Sequence, residues 1–210
     1  MNKFFTALTL ACFALSASDY ANAQALRLPG RGGSGSGSVT AEQLLQKYTE
    51  ASIHTYNAYS ELFDAVGMKE MADELKVKAK NLTEGTLSSA SMEDIQQTIT
   101  KSAEELQRKF LADSEAPTEA QRQHIVEAIG HLVPATAATV ETAMLSRDFR
   151  PGTNPASLTD MARLAVNVGR SLPGDASRLK GIIGLVIEYR KSHNLPDDPR
   201  LADATSLLNF

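Results

Sequence analysis

From residue 39 onward, residues suited to a helix interior recur every three or four positions, and this spacing constrains the fold more than any other feature. The first such segment places Leu45, Tyr48, Ser52, Thr55, Tyr59, Leu62 and Val66 in one stripe. A spacing of three and four puts side chains on one face of an α-helix. Because strand patterns are scarce, the sequence predicts an all-α fold.

Breaks in this pattern predict about six to seven helices in a compact multi-helix bundle. Thr40 is suited to begin the first helix, Gly67 to break the run, and Gly85 to end the second helix. Ser91 followed by Asp94 approximates a capping box for a third helix. No sustained heptad repeat appears, which favours a compact bundle over a long coiled coil.

Prolines set the expected boundaries in the second half of the chain. Pro117 suits the first turn of a fourth helix, and Pro134 predicts a kink or a split within that helix. Residues 150–155, RPGTNP, are a possible hinge between two sub-bundles. Three further helices are expected to start at Asn154 with Pro155, at Pro173, and at Asp198 with Pro199.

The amino-terminal residues have the pattern of an export signal. Residues 1–23 contain a basic start at Lys3, an apolar stretch, and the small-x-small cleavage pattern Ala21-Asn22-Ala23. The apolar stretch of about 14 residues is shorter than the roughly 20 needed to cross a bilayer, so no transmembrane span is expected in the mature chain. We therefore predict a secreted protein, most simply periplasmic, with residues 24–38 as a disordered Gly/Ser-rich tether before a helical domain at 39–210.

Composition excludes several kinds of chemistry. Cys12, the only cysteine, lies inside the predicted signal, so the mature protein has no thiol for a disulfide, a nucleophile or a metal. The chain has 21 basic and 25 acidic residues, a net charge of −4, and no basic run. This balance argues against nucleic acid as a partner. Because no catalytic motif is complete, we assign no catalytic residue and no cofactor, and do not expect an enzyme.

The pentapeptide Glu-Ala-x-x-His occurs twice, at residues 50–54 and 127–131. Residues four apart share a helix face, so each copy could offer a carboxylate and an imidazole to a metal ion. Turned at 100° per residue, however, Glu50 and His54 lie about 160° and 120° from Tyr48 in the first stripe. The second copy lies as far from its own stripe, so we expect both faces to meet water and no joint site to form. A weak surface metal site at His124, Glu127 and His131 remains the alternative.

Three tyrosines on the first helix, Tyr48, Tyr56 and Tyr59, are candidates to line a ligand cavity. The simpler interpretation places them at the margin of the core. Three functions therefore stay open. The leading one is an exported, non-enzymatic module that binds an envelope or extracellular protein. The alternatives are a carrier of a small apolar ligand between helices and a metal-binding helical bundle protein.

Overall fold

A computed structural model describes residues 39–112, 115–151 and 158–208, and these residues contain six α-helices and no strand. The helices are α1 Ala41–Ala65, α2 Lys69–Glu84, α3 Ser89–Ala112, α4 Glu119–Asp148, α5 Asp160–Ser192 and α6 Pro199–Leu207. The prediction of an all-α bundle of six to seven helices is therefore confirmed. None of the described helices has the length and apolar character needed to cross a membrane. The predicted signal and tether lie outside the described residues and stay predictions.

Gly67 ends α1 because it adopts a backbone conformation that other residues avoid. Its φ is 75°, and it allows the Met68 N–H to bond the Phe63 carbonyl at 2.8 Å while its own N–H bonds Asp64 at 3.1 Å. This pair of bonds satisfies carbonyls at the helix end and turns the chain into α2. The predicted break at Gly67 is confirmed.

The start of α3 differs from the prediction. Ser88 and Ser91 cap each other, with the Ser91 N–H donating to Ser88 Oγ at 3.1 Å and the Ser88 N–H donating to Ser91 Oγ at 2.7 Å. The helix consequently begins at Ser89, and Ser91 lies within its first turn.

Neither Pro134 nor Pro173 divides its helix, so the segments predicted as a fifth and a sixth helix are one helix, α5. Each proline removes one backbone hydrogen bond, at a cost of about 3 kcal/mol in a helix interior. Packing on both sides offsets that cost: Leu132 and Ala135 are buried around Pro134, and Leu172 and Ala176 around Pro173.

Thr159 caps the start of α5, its side chain accepting from the Ala162 N–H at 3.2 Å. The helix predicted to start at Asn154 with Pro155 therefore starts later, at Asp160, because Thr159 provides the cap. Most of the predicted hinge at 150–155 lies outside the described residues. Asp198 and Pro199 do begin the last helix, as predicted.

Helix α1 is central and packs against α2, α3, α4 and α5, with its most extensive contact on α4. Three side-chain contacts between α1 and α4 occur in opposite chain order, so the two helices are antiparallel. Lys47 contacts Glu141, His54 contacts His131, and Glu61 contacts His124.

Small residues repeat every seven positions where α1 and α4 meet, in what we call the alanine seam: Ala51, Ala58 and Ala65 on α1, with Ala128 and Ala135 on α4. All five are buried. The antiparallel register places Ala58 level with Ala128 and Ala51 level with Ala135. Because the distance between helix axes depends on the side chains at the contact, alanine permits a close approach. The seven-residue spacing covers only three positions on α1 and two on α4, so it is a local contact and not a sustained heptad repeat.

Enlarging one alanine of the seam should destabilise the bundle. We expect Ala58→Leu to lower the free energy of unfolding by about 1–3 kcal/mol, because added methylenes in a packed contact force neighbouring groups apart. Urea unfolding measures this. The matched control is Ala120→Leu on the exposed side of α4, where the change should be small. Equal effects of the two substitutions would argue against close packing at the seam.

Candidate functional site

Ionisable side chains line the contact between α1 and α4 beside the alanine seam. We call this set the polar row: Lys47, His54 and Glu61 on α1, with His124, His131 and Glu141 on α4. Lys47 Nζ lies 2.9 Å from Glu141 Oε2 and also 2.9 Å from Glu50 Oε2 on its own helix. These two hydrogen bonds, first that to Glu50, raise the pKa of the Lys47 ammonium. The row thus has an ion pair at one end.

His54 and His131 face each other in the middle of the row. Their ring centroids are 5.9 Å apart and the rings are tilted by 36°. Both residues are partly buried, and His54 Nδ1 is inaccessible to solvent and has no hydrogen-bond partner among the described residues. The two Glu-x-x-x-His segments therefore meet through their histidines.

The expectation that His54 and His131 face water was wrong, and the alanine seam explains why. The predicted stripe of α1 left out Ala51, Ala58 and Ala65, which lie between that stripe and His54 on the helix surface. Ala51, Ala58 and Ala65 extend the buried surface of α1 toward His54, and Ala128 and Ala135 do the same beside His131. The acidic partners do lie further out, since the side chains of Glu50 and Glu127 are each 46% exposed.

Burial favours the neutral form of both imidazoles. Loss of hydration lowers the pKa of His54, and the neighbouring His131 lowers it further, while the Glu50 carboxylate opposes both effects. Loss of hydration also lowers the pKa of His131, against the opposing charge of Glu127. At neutral pH each ring therefore keeps a free nitrogen lone pair, the form of histidine that binds metals.

The other end of the row contains an acidic cluster with one histidine. His124 Nδ1 is 2.7 Å from Glu61 Oε2, and Lys76 Nζ is 2.8 Å from Asp64 Oδ2. The bond to Asp64 raises the pKa of the Lys76 ammonium. Potential ligand atoms of Glu61, Asp64 and His124 all lie within 4.8 Å of one another. Within the described ranges, this is the one such group of three or more.

The surface metal site considered from the sequence is only partly assembled. His124 Nδ1 is 3.9 Å from Glu127 Oε2, but its nearer acidic partner is Glu61 from α1. His131 instead faces His54. Glu61 was not singled out as a site residue, although its position seven residues after His54 places it on the same face of α1.

Tyr48 and Tyr59 line a small cavity between α1, α3, α4 and α5, together with Ser52, Thr139 and Asp175. The cavity volume is about 20 Å³, enough for one water molecule. An apolar ligand at these two tyrosines would therefore require the helices to separate. Burial raises the pKa of both hydroxyls and also that of the Asp175 carboxyl.

Tyr56 lies in a different place from the other two tyrosines. It lines a depression of about 200 Å³ beside Lys78, Asn81 and Asp94. The three tyrosines thus do not share one cavity in this structure, and their role in binding a ligand stays a prediction.

A groove of about 430 Å³ runs between α3 and α5, and we call it the α3–α5 groove. Gly181 and Gly184 lie along the α5 side, and a Cβ atom added at either would have no other atom within 4 Å apart from the adjoining part of its own helix. Leu111, which is 70% exposed, lies at the end of the α3 side. The charged residues of the groove are Glu104, Arg178, Lys180 and Glu188.

The His54–His131 pair should make the bundle sensitive to acid. The folded-state pKa of each ring lies below its ordinary value of 6.5. The unfolded chain therefore takes up protons first as the pH falls below about 6.5, and the free energy of unfolding decreases down to the folded-state pKa. We expect the protein in EDTA to be less stable at about pH 5.5 than at pH 7.5 in urea unfolding.

The double variant His54→Gln/His131→Gln should lose less stability over the same interval. His193→Gln removes an imidazole outside the pair and serves as the control for histidine loss. An unchanged pH dependence in the double variant would contradict the assignment.

Comparisons with protein families, with curated proteins and with solved structures found no match to this chain. The candidate sites therefore depend on geometry and chemistry alone.

Proposed function

We propose that this protein is an exported, non-enzymatic helical module that binds another protein of the cell envelope or extracellular space. The observation that carries the proposal is the α3–α5 groove, which is open, elongated and lined by glycines on one side. The signal-like residues 1–23 and the Gly/Ser-rich composition of residues 24–38 support export and a flexible connection.

The dimensions of the groove fit one helix of a partner. Its α3 side extends from Thr100 to Leu111, about 16 Å at 1.5 Å per residue, or three helical turns. The rings of Phe110 and Tyr189 meet edge to face with their centroids 4.8 Å apart, and this contact holds α3 against α5 near this end of the groove. A groove of this kind accepts the apolar face of an amphipathic helix.

The chemistry of the groove defines the partner further. The apolar lining of the groove comes from Ala103, Leu111 and Leu185. The groove also carries charges of both signs, acidic at Glu104 and Glu188 and basic at Lys180. We therefore expect an amphipathic helix with small apolar residues on one face and charges of both signs along its edges.

Site-specific photocrosslinking in intact cells tests the proposal. A photoreactive residue at Gln107, an exposed position in the groove, should give one discrete adduct that maps to an amphipathic helix of the partner. The same residue at Gln123, exposed on α4, should not give that adduct. Export is tested in the same preparation, where the mature chain should begin at Gln24.

Gly184→Leu should abolish the adduct because the added side chain occupies the groove. The matched control is Gly130→Leu on α4, where the added side chain also meets open space but lies outside the groove. Equal adduct yields from the two variants, or adducts from Gln107 no stronger than from Gln123, would rule out the groove as the binding site.

A further inference from the structure

The two Glu-x-x-x-His segments converge with approximate two-fold symmetry. Because α1 and α4 are antiparallel, Glu50 lies one turn from the histidine pair in one direction, and Glu127 lies one turn away in the other. One turn of four residues corresponds to about 6 Å along the helix. The carboxylates of Glu50 and Glu127 each interact electrostatically with the imidazole of their own segment.

The separation of the two rings suits a shared metal ion. A nitrogen ligand lies about 2.0–2.1 Å from zinc, which places two imidazole centroids roughly 5–6 Å apart around one ion. The observed centroid distance is 5.9 Å. His54 Nδ1 is buried and has no hydrogen-bond partner among the described residues. Buried polar atoms normally have such a partner, and a metal ion would take its place.

We propose that His54 and His131 together bind a divalent transition-metal ion of the Zn²⁺, Cu²⁺ or Ni²⁺ class, linking α1 to α4. Paired imidazoles select these ions over Mg²⁺ and Ca²⁺, which prefer oxygen ligands. Glu50 and Glu127, whose charges act on the two imidazoles, are the candidate carboxylate ligands, and water would complete the coordination. Glu50 pairs with the Lys47 ammonium at 2.9 Å, whereas Glu127 accepts from the neutral Gln123 Nε2 at 2.9 Å, so Glu127 has no cationic lysine to displace.

The Glu61–Asp64–His124 cluster is the rival location for an ion. Its ligand atoms are close, but they already have partners: Glu61 pairs with His124 at 2.7 Å, and Asp64 pairs with Lys76 at 2.8 Å. An ion there would have to displace the Lys76 ammonium. The histidine pair requires no such displacement.

Electron paramagnetic resonance of Cu²⁺ added to the purified protein at neutral pH tests the site directly, because it counts coordinating imidazoles without any substitution. The protein has four histidines, and we expect the coupling of two imidazole nitrogens to one Cu²⁺. Coupling to a single imidazole, or binding only at millimolar Cu²⁺, would overturn the proposal.

Variants then assign the two nitrogens. His54→Gln and His131→Gln should each reduce Zn²⁺ affinity at least about tenfold in calorimetric titration and remove one nitrogen from the Cu²⁺ spectrum. His193→Gln and the double variant Glu61→Gln/Asp64→Asn should retain both nitrogens and near wild-type affinity. Circular dichroism confirms that each variant is folded.

The opposite pattern, in which only the Glu61→Gln/Asp64→Asn variant loses Zn²⁺, would place the ion in the acidic cluster. If either histidine variant does not fold, the nitrogen count of the wild-type protein decides alone. The site shares no residue with the α3–α5 groove, so failure of one proposal leaves the other standing.

Discussion

The close contact between α1 and α4 is the constraint on which the rest of the bundle depends. Helix α1 meets four other helices, and Tyr48 and Tyr59 line a cavity of about 20 Å³ together with residues of α3, α4 and α5. Its contact with α4 includes the alanine seam. Because alanine side chains are short, the residues that flank them on each helix are drawn into the contact as well. This explains how histidines on polar faces become partly buried neighbours.

The polar row follows from that geometry. At one end Lys47 forms an ion pair with Glu141, and at the other end His124 lies 2.7 Å from the Glu61 carboxylate, so both ends link the two helices through polar contacts. The middle is different, since His54 and His131 present two like groups to each other. A proton on both rings disfavours the contact, whereas a metal ion shared by both favours it. The stability of the contact between α1 and α4 should therefore depend on pH and on metal ions chiefly through the histidine pair.

Much of the fold was predictable because local signals and packing agree. The predicted stripe from Leu45 to Leu62 is buried. As predicted, α1 is interrupted at Gly67, which has a positive φ, and the last helix begins at Asp198, whose side chain caps it. The failures occurred where packing overrides a local rule. Pro173 marked a helix start by its backbone preference, yet burial of Leu172 and Ala176 keeps α5 continuous. The orientation of His54 depended on buried alanines outside the predicted stripe, and their burial is decided by the packing of α4, so the face of the candidate site could not be assigned from the spacing alone.

Proton NMR can detect the contact between His54 and His131 directly. Because the ring centroids are 5.9 Å apart, we expect a nuclear Overhauser effect between the carbon-bound ring protons of His54 and His131 in the folded protein at neutral pH. The assignment is straightforward because the chain has four histidines, and each can be replaced in turn. A folded sample in which both rings show effects only to residues of their own helices would contradict the antiparallel register and the site built on it.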